Sequence, residues 1–246
     1  MKRYFSFYIL LGMLFSLSGC EKDHVESSGI FRSDYLIVRY VEGDMVLEEA
    51  SASKRDPIVL YVSWDATKQY LSPDLSDPSR SSHPYAPENT DGFLAIAARN
   101  GDVQTDGKYG GAPIAAIYNR HVALADNFAS IHLTCDEAWD ESHPAGTPLD
   151  DLVRIEMSSY YPEEAQQVRE YACPLSELPE DALRIIDLDK HFDNIGSGKY
   201  CMRMTFDQVF SFTGTRKLTL TLTTADGRTK SASLDLVDPS QRDKRF

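Results

Sequence analysis

Few residues in this chain stand at spacings that do chemistry. Asp187-Leu188-Asp189-Lys190-His191-Phe192-Asp193 sets acids at every second position, as a calcium-binding loop does. Phe192, however, stands where such a loop needs a glycine for its turn, and Gly198 where it needs a bidentate glutamate. A solvated connection between a helix and a strand is the better reading. Gly196-Ser197-Gly198-Lys199 approaches a phosphate loop, but Asp193 replaces its first glycine and Tyr200 its Ser or Thr. It also leads into a strand, where the nucleotide motif opens a helix, so it reads as a turn. Ser51-Ala52-Ser53-Lys54 matches S-x-x-K, yet neither S-D-N nor K-T-G follows. The histidines at 24, 83, 121, 132, 143 and 191 are never spaced i, i+4 and never alternate in a strand. His132 reads as a surface residue on a strand's polar face. No catalytic, cofactor-binding or metal-binding residue is expected, and a non-enzymatic role is preferred to an enzymatic one.

Cysteine chemistry is also limited. Beyond Cys20 the chain has Cys135, Cys173 and Cys201, an odd number, so at least one thiol stays unpaired. No pair has the close spacing of a zinc or redox site. Cys173 and Cys201 flank 27 residues and are a possible disulfide in an oxidising compartment. The alternative is that all three are buried thiols acting as small apolar groups.

Cys20 itself is the most informative cysteine. Lys2 and Arg3 precede an apolar run from Tyr4 to Leu17, which Leu17-Ser18-Gly19-Cys20 closes. The run is shorter than the roughly 20 residues that span a bilayer, and small residues before the cysteine admit a peptidase. The pattern resembles a bacterial lipoprotein signal, with an uncleaved anchor helix as the alternative. That resemblance implies removal of residues 1–19, lipidation of Cys20, and attachment to the outer membrane through the acyl chains. Glu21-Lys22-Asp23 resembles the charged tethers of surface-exported lipoproteins, which favours the cell surface over the periplasmic face. Residues 21–33 are mostly polar and read as a flexible spacer, so 20–33 is the anchored tether.

Charge restricts the partners. Loss of residues 1–19 removes two bases and no acid, leaving 23 basic residues against 38 acidic ones, a balance of −15. Nucleic acid and anionic lipid surfaces need clustered Lys and Arg, so neither is expected as a partner.

The elements that must position any site are mostly strands. Tyr35 to Val41 is β-rich, with Met45 to Glu49 returning after a turn at Gly43-Asp44. Ile58 to Trp64 is apolar on both faces, as a central covered strand is, with Pro57 at its start. Residues 72–92 carry prolines at 73, 78, 84 and 87 and form a long loop that is either functional or mobile. Phe93–Ala98 and Ala112–Leu124 add apolar segments on either side of a turn at Asp106 to Gly111. Ser130 to Cys135 alternates, with Ile131, Leu133 and Cys135 on one face, and Leu152 to Met157 is a further strand. Two short helices are expected, Pro162 to Tyr171 and Pro179 to Ile186, because proline and acids suit a helix start. At the end, Leu218, Leu220 and Leu222 alternate with threonines, and Ala232, Leu234 and Leu236 alternate in the next strand. A three-residue loop, Ala225-Asp226-Gly227, puts Leu218 opposite Leu234 and Leu220 opposite Ala232, with Gly227 left-handed. The fold class is therefore all-β with two short helices, an antiparallel sandwich of generally immunoglobulin-like form. Residues 34–246 are expected to form one such domain, carrying long loops at 72–92 and 136–151.

The segment Asp136-Glu137-Ala138-Trp139-Asp140-Glu141-Ser142-His143-Pro144-Ala145-Gly146-Thr147-Pro148-Leu149-Asp150-Asp151-Leu152, with the lipoprotein start, resembles an uncharacterised Bacteroides-type lipoprotein family of unknown function. The resemblance implies a similar fold and a cell-envelope setting, and brings no active site. Read from its own residues, His143 to Gly146 is a turn, and Trp139 is expected as a buried anchor of the loop, with an exposed Trp in an acidic binding loop as the alternative. The leading expectation is a non-catalytic binding or assembly module for a glycan or an envelope protein. A hydrolase without a recognisable motif and a structural subunit of a surface assembly are the alternatives.

Overall fold

The computed structural model describes residues 30–50, 56–73, 90–102, 109–113, 121–161, 167–188, 200–210 and 212–238. Eleven strands and one α-helix carry these segments: β1 Ile30–Ser33, β2 Arg39–Glu49, β3 Val59–Leu71, α1 Thr90–Arg99, β4 Tyr109–Pro113, β5 Val122–Leu124, β6 Ser130–Cys135, β7 Val153–Tyr161, β8 Gln167–Pro174, β9 Tyr200–Phe206, β10 Thr215–Thr223 and β11 Thr229–Val237. A six-stranded sheet in the order β5-β2-β3-β9-β7-β8 faces a three-stranded sheet, β11-β10-β6, and β1 pairs with β4 apart from both. Every pairing is antiparallel except β2 with β5. The all-β, two-sheet sandwich read from the sequence is the architecture observed.

Strand alternation builds two apolar clusters on opposite faces of the large sheet. Between the sheets, Leu60, Val62, Ile155, Met157, Met202 and Met204 meet Ile131, Leu133, Leu218, Leu220 and Leu222. On the other face, Tyr40, Tyr70 and Tyr160 pack beneath Phe93 and Ala97 of α1. The core strand expected at Ile58 to Trp64 is β3, flanked by β2 and β9, and it continues to Leu71.

The final hairpin has the expected register. Leu218 pairs with Leu234 and Leu220 with Ala232. Gly227 takes φ 84°, a conformation that costs glycine least. Trp139 is buried as the anchor of its loop, stacked on Phe206 at 4.9 Å with Arg216 over its ring.

Several expectations are corrected. The helix from Pro162 to Tyr171 is not formed where it is described: Gln167–Pro174 is β8, paired along β7. The acids after Pro162 favour a helix start only locally, whereas pairing lets Tyr171 and Cys173 pack on the core. The second helix shrinks to a 3₁₀ turn, Glu180–Leu183, whose Ala182 and Leu183 are buried. Gly43-Asp44 is no turn, because β2 runs through it with a bulge between Glu42 and Gly43. Glycine is required there by space: a Cβ would lie 2.1 Å from the Asp65 carbonyl oxygen. Residues 93–98 belong to α1, and residues 90–92 of the expected loop open that helix. Gly110 and Gly111 lie within β4 and not in a turn. The expected flexible tether ends sooner than residue 33, because Ile30–Ser33 is β1 and pairs along β4. Cys20, residues 21–29 of the tether, and residues 51–54, 74–89, 114–120 and 189–199 lie outside the described residues.

The Cys173–Cys201 disulfide is not made, and both are free thiols. Strand β7 lies between their strands and Cys173 is level with Met204, three residues along β9 from Cys201, so the cysteines are more than two inter-strand spacings, or about 10 Å, apart. A disulfide needs Cα atoms within roughly 7 Å. Burial pushes the Cys201 thiol up to about 12 and raises Cys135 and Cys173 as well, leaving three poor nucleophiles.

Candidate functional site

Register across the large sheet places four polar side chains in one row on its outer face. Glu48 of β2 pairs with Tyr61 of β3, Tyr61 with Arg203 of β9, and Arg203 with Glu156 of β7. The irregularity between Val62 and Ser63 brings Tyr200 into the same neighbourhood by pairing it with Ser63. The Tyr61 and Tyr200 rings then lie 4.7 Å apart, tilted by 36°. The Tyr200 hydroxyl donates to Glu48 Oε2 at 2.7 Å, which fixes the ring's direction. Arg203 donates through Nε to Glu156 Oε1 at 3.0 Å and through Nη2 to the same oxygen, and this pairing holds the guanidinium above its usual range.

A cleft of ≈ 510 Å³ opens here, lined in part by Glu48, Glu49, Tyr61, Tyr200, Leu234 and Asp235. Its size falls within the range of about 300–1,000 Å³ typical of small-ligand sites. The far wall comes from β11, which runs beside β2 without a hydrogen-bonded ladder between them. Lys230 Nζ donates to the Gly43 carbonyl at 2.6 Å and ties the two strands together. Tyr61 is buried at the base, whereas Tyr200, Glu48 and Glu49 are half-exposed.

Other ionisable clusters among the described residues hold backbone amides or neighbouring side chains. In the 136–151 loop, Asp140 accepts from the Ser142 and His143 amides at 2.8 and 2.9 Å. The His143 ring bridges Asp140 at 2.8 Å and Asp151 at 3.1 Å. Asp150 takes the Leu133 amide and His132 Nδ1, and Asp136 takes the Lys217 amide. Asp187, first acid of the calcium-like run, is buried and accepts from Ser158 Oγ at 2.9 Å and Tyr160 OH at 2.7 Å. Asp102 is buried and accepts the Leu36 and Ile37 amides. Among the described residues no group of three or more His, Cys, Asp or Glu is arranged to hold a metal ion.

His143 gives a pH prediction. Its hydrogen bond to Asp140, and then that to Asp151, raises its pKa from the ordinary 6.5. A raised folded-state pKa adds stability that is complete below about 6.5 and fades as pH climbs through the higher folded value. Melting temperatures of the native chain and His143→Ala should therefore differ most near pH 6 and converge toward pH 9. A gap of constant size across that range would mean that the charge contributes nothing.

Sequence reading singled out neither Tyr61 nor Tyr200. Tyr61 sits in a run that is apolar on both faces, and Tyr200 stands where a nucleotide motif needs Ser or Thr. His132 is exposed as expected, and His143 lies in the expected turn.

The chain matches no protein-family model, no curated protein and no solved structure. No helix among the described residues is long and apolar enough to cross a membrane.

Proposed function

We propose that this chain is a lipid-anchored binding module of the bacterial outer membrane, facing the cell surface and working without catalysis. One observation carries the binding part: the cleft at Tyr61 and Tyr200 is an open, half-apolar site whose ring direction is fixed by Glu48. Among the described residues, Asp102, Asp136, Asp140, His143, Asp150 and Asp187 are engaged in holding loops and strands, which supports binding over hydrolysis. The anchoring part rests on Leu17-Ser18-Gly19-Cys20 after Lys2-Arg3 and a short apolar run. Two or three acyl chains on Cys20 hold a protein on a membrane where one does so marginally. Glu21-Lys22-Asp23 supports the outward face. Membership of an uncharacterised Bacteroides-type lipoprotein family belongs to the same proposal and rests on the start of the chain and on residues 136–152. So do the single-domain reading of residues 34–246 and the absence of a nucleic-acid partner, which the acidic balance favours.

Proteolysis of intact cells tests the placement. External protease should remove the full-length band while a periplasmic marker survives. Survival of the band until the outer membrane is opened would overturn the surface assignment and direct the search to periplasmic partners.

A further inference from the structure

We infer that the cleft between β2 and β11 binds an uncharged saccharide, with the Tyr200 ring as its platform. The inference deepens the binding-module reading and rests on it. Sugars present one apolar C–H face and a rim of hydroxyls, so they need a fixed aromatic surface with acceptors around it. The cleft supplies both: Tyr200 backed by Tyr61 at 4.7 Å, and carboxylates from Glu48, Glu49 and Asp235. Leu47 and Leu234 add apolar wall.

Other ligand classes fit less well. Anions meet three carboxylates in the lining. An ammonium group is held best by several free ring faces. Among the described lining residues Tyr61 is buried against Tyr200, which is the one half-exposed ring. An extended peptide entering between β2 and β11 would have to displace the Lys230 side chain, whose Nζ already spans the gap to the Gly43 carbonyl. Because Tyr200 is held by Glu48 before any ligand arrives, binding does not have to order it.

The test is calorimetric titration of the full chain, kept in a detergent without a sugar headgroup, with neutral hexasaccharides of the cellulose, xylan, mannan and starch types. At least one should bind. Tyr200→Ala should weaken that binding by about tenfold, the scale of one lost aromatic contact. Tyr200→Phe keeps the ring and should lose less, and Glu48→Gln should match it, with circular dichroism confirming that each variant folds. No binding by any of the four sugars overturns the inference, as does equal affinity of the native and Tyr200→Ala chains. Heat released instead by choline or a lysine peptide, and lost in Tyr200→Ala, would also overturn it in favour of a cationic ligand. The titration is indifferent to where the protein resides, so its failure and that of the surface assignment are read separately.

Discussion

Asp102→Ala should lower the unfolding free energy by about 3 kcal/mol. The carboxylate is 1% exposed and accepts the Leu36 amide at 2.7 Å and the Ile37 amide at 2.9 Å. Alanine leaves two buried amides without their acceptor, each costing about 1–3 kcal/mol. Relief from burying a charge offsets part of that loss. Leu36 and Ile37 belong to the cluster beneath α1, so the damage spreads to Tyr40 and Phe93. For a domain of this size the melting temperature should fall by roughly 10 °C. Asp102→Asn keeps one acceptor oxygen and should lose about half as much. Urea unfolding followed by circular dichroism measures both, and amide exchange at Leu36 and Ile37 reports the local effect. A loss below about 1 kcal/mol for Asp102→Ala would show that these amides find other partners.

That buried acid also marks where sequence reading stops. The strands whose residues alternate were legible, because a two-residue period fixes which side faces the core. The β10–β11 hairpin was legible to the register, since only a three-residue loop puts Leu218 and Leu234 on one face. Of the two readings of Trp139, anchor and exposed binding residue, the structure gives the anchor, with Phe206, Phe210 and Phe212 around the ring. Elements decided by distant partners were not legible. The stretch after Pro162 has a helix-like beginning, yet pairing with β7 makes Gln167–Pro174 a strand. Gly43 looked like a turn glycine and serves instead as the one residue that fits against Asp65 in a bulge.

The candidate site was the least legible part. Tyr61 and Tyr200 stand far apart in the chain and meet only because β3 and β9 are neighbours with a local irregularity in register. No spacing rule links them. Asp102 is hidden in the same way, since its two amide partners lie 66 and 65 residues away. Conversely, the motif-like runs at 51–54 and 187–199 drew notice for their spacing, and the one acid of them that is described, Asp187, holds Ser158 and Tyr160 in place.

The largest expected effect falls on Cys20, because the proposed anchoring makes its thiol the attachment point for the lipid. Serine differs by one atom and cannot form the thioether, so Cys20→Ser should abolish lipid attachment completely. The short apolar run that precedes it would then have to act alone, and it is below the length that spans a bilayer. Metabolic labelling of cells with tagged palmitate, comparing the native and Cys20→Ser chains by gel, measures this most directly. A labelled native band of processed size, with an unlabelled and unprocessed Cys20→Ser band, is the predicted result. Label in neither band, or equal label in both, would contradict the account at its centre.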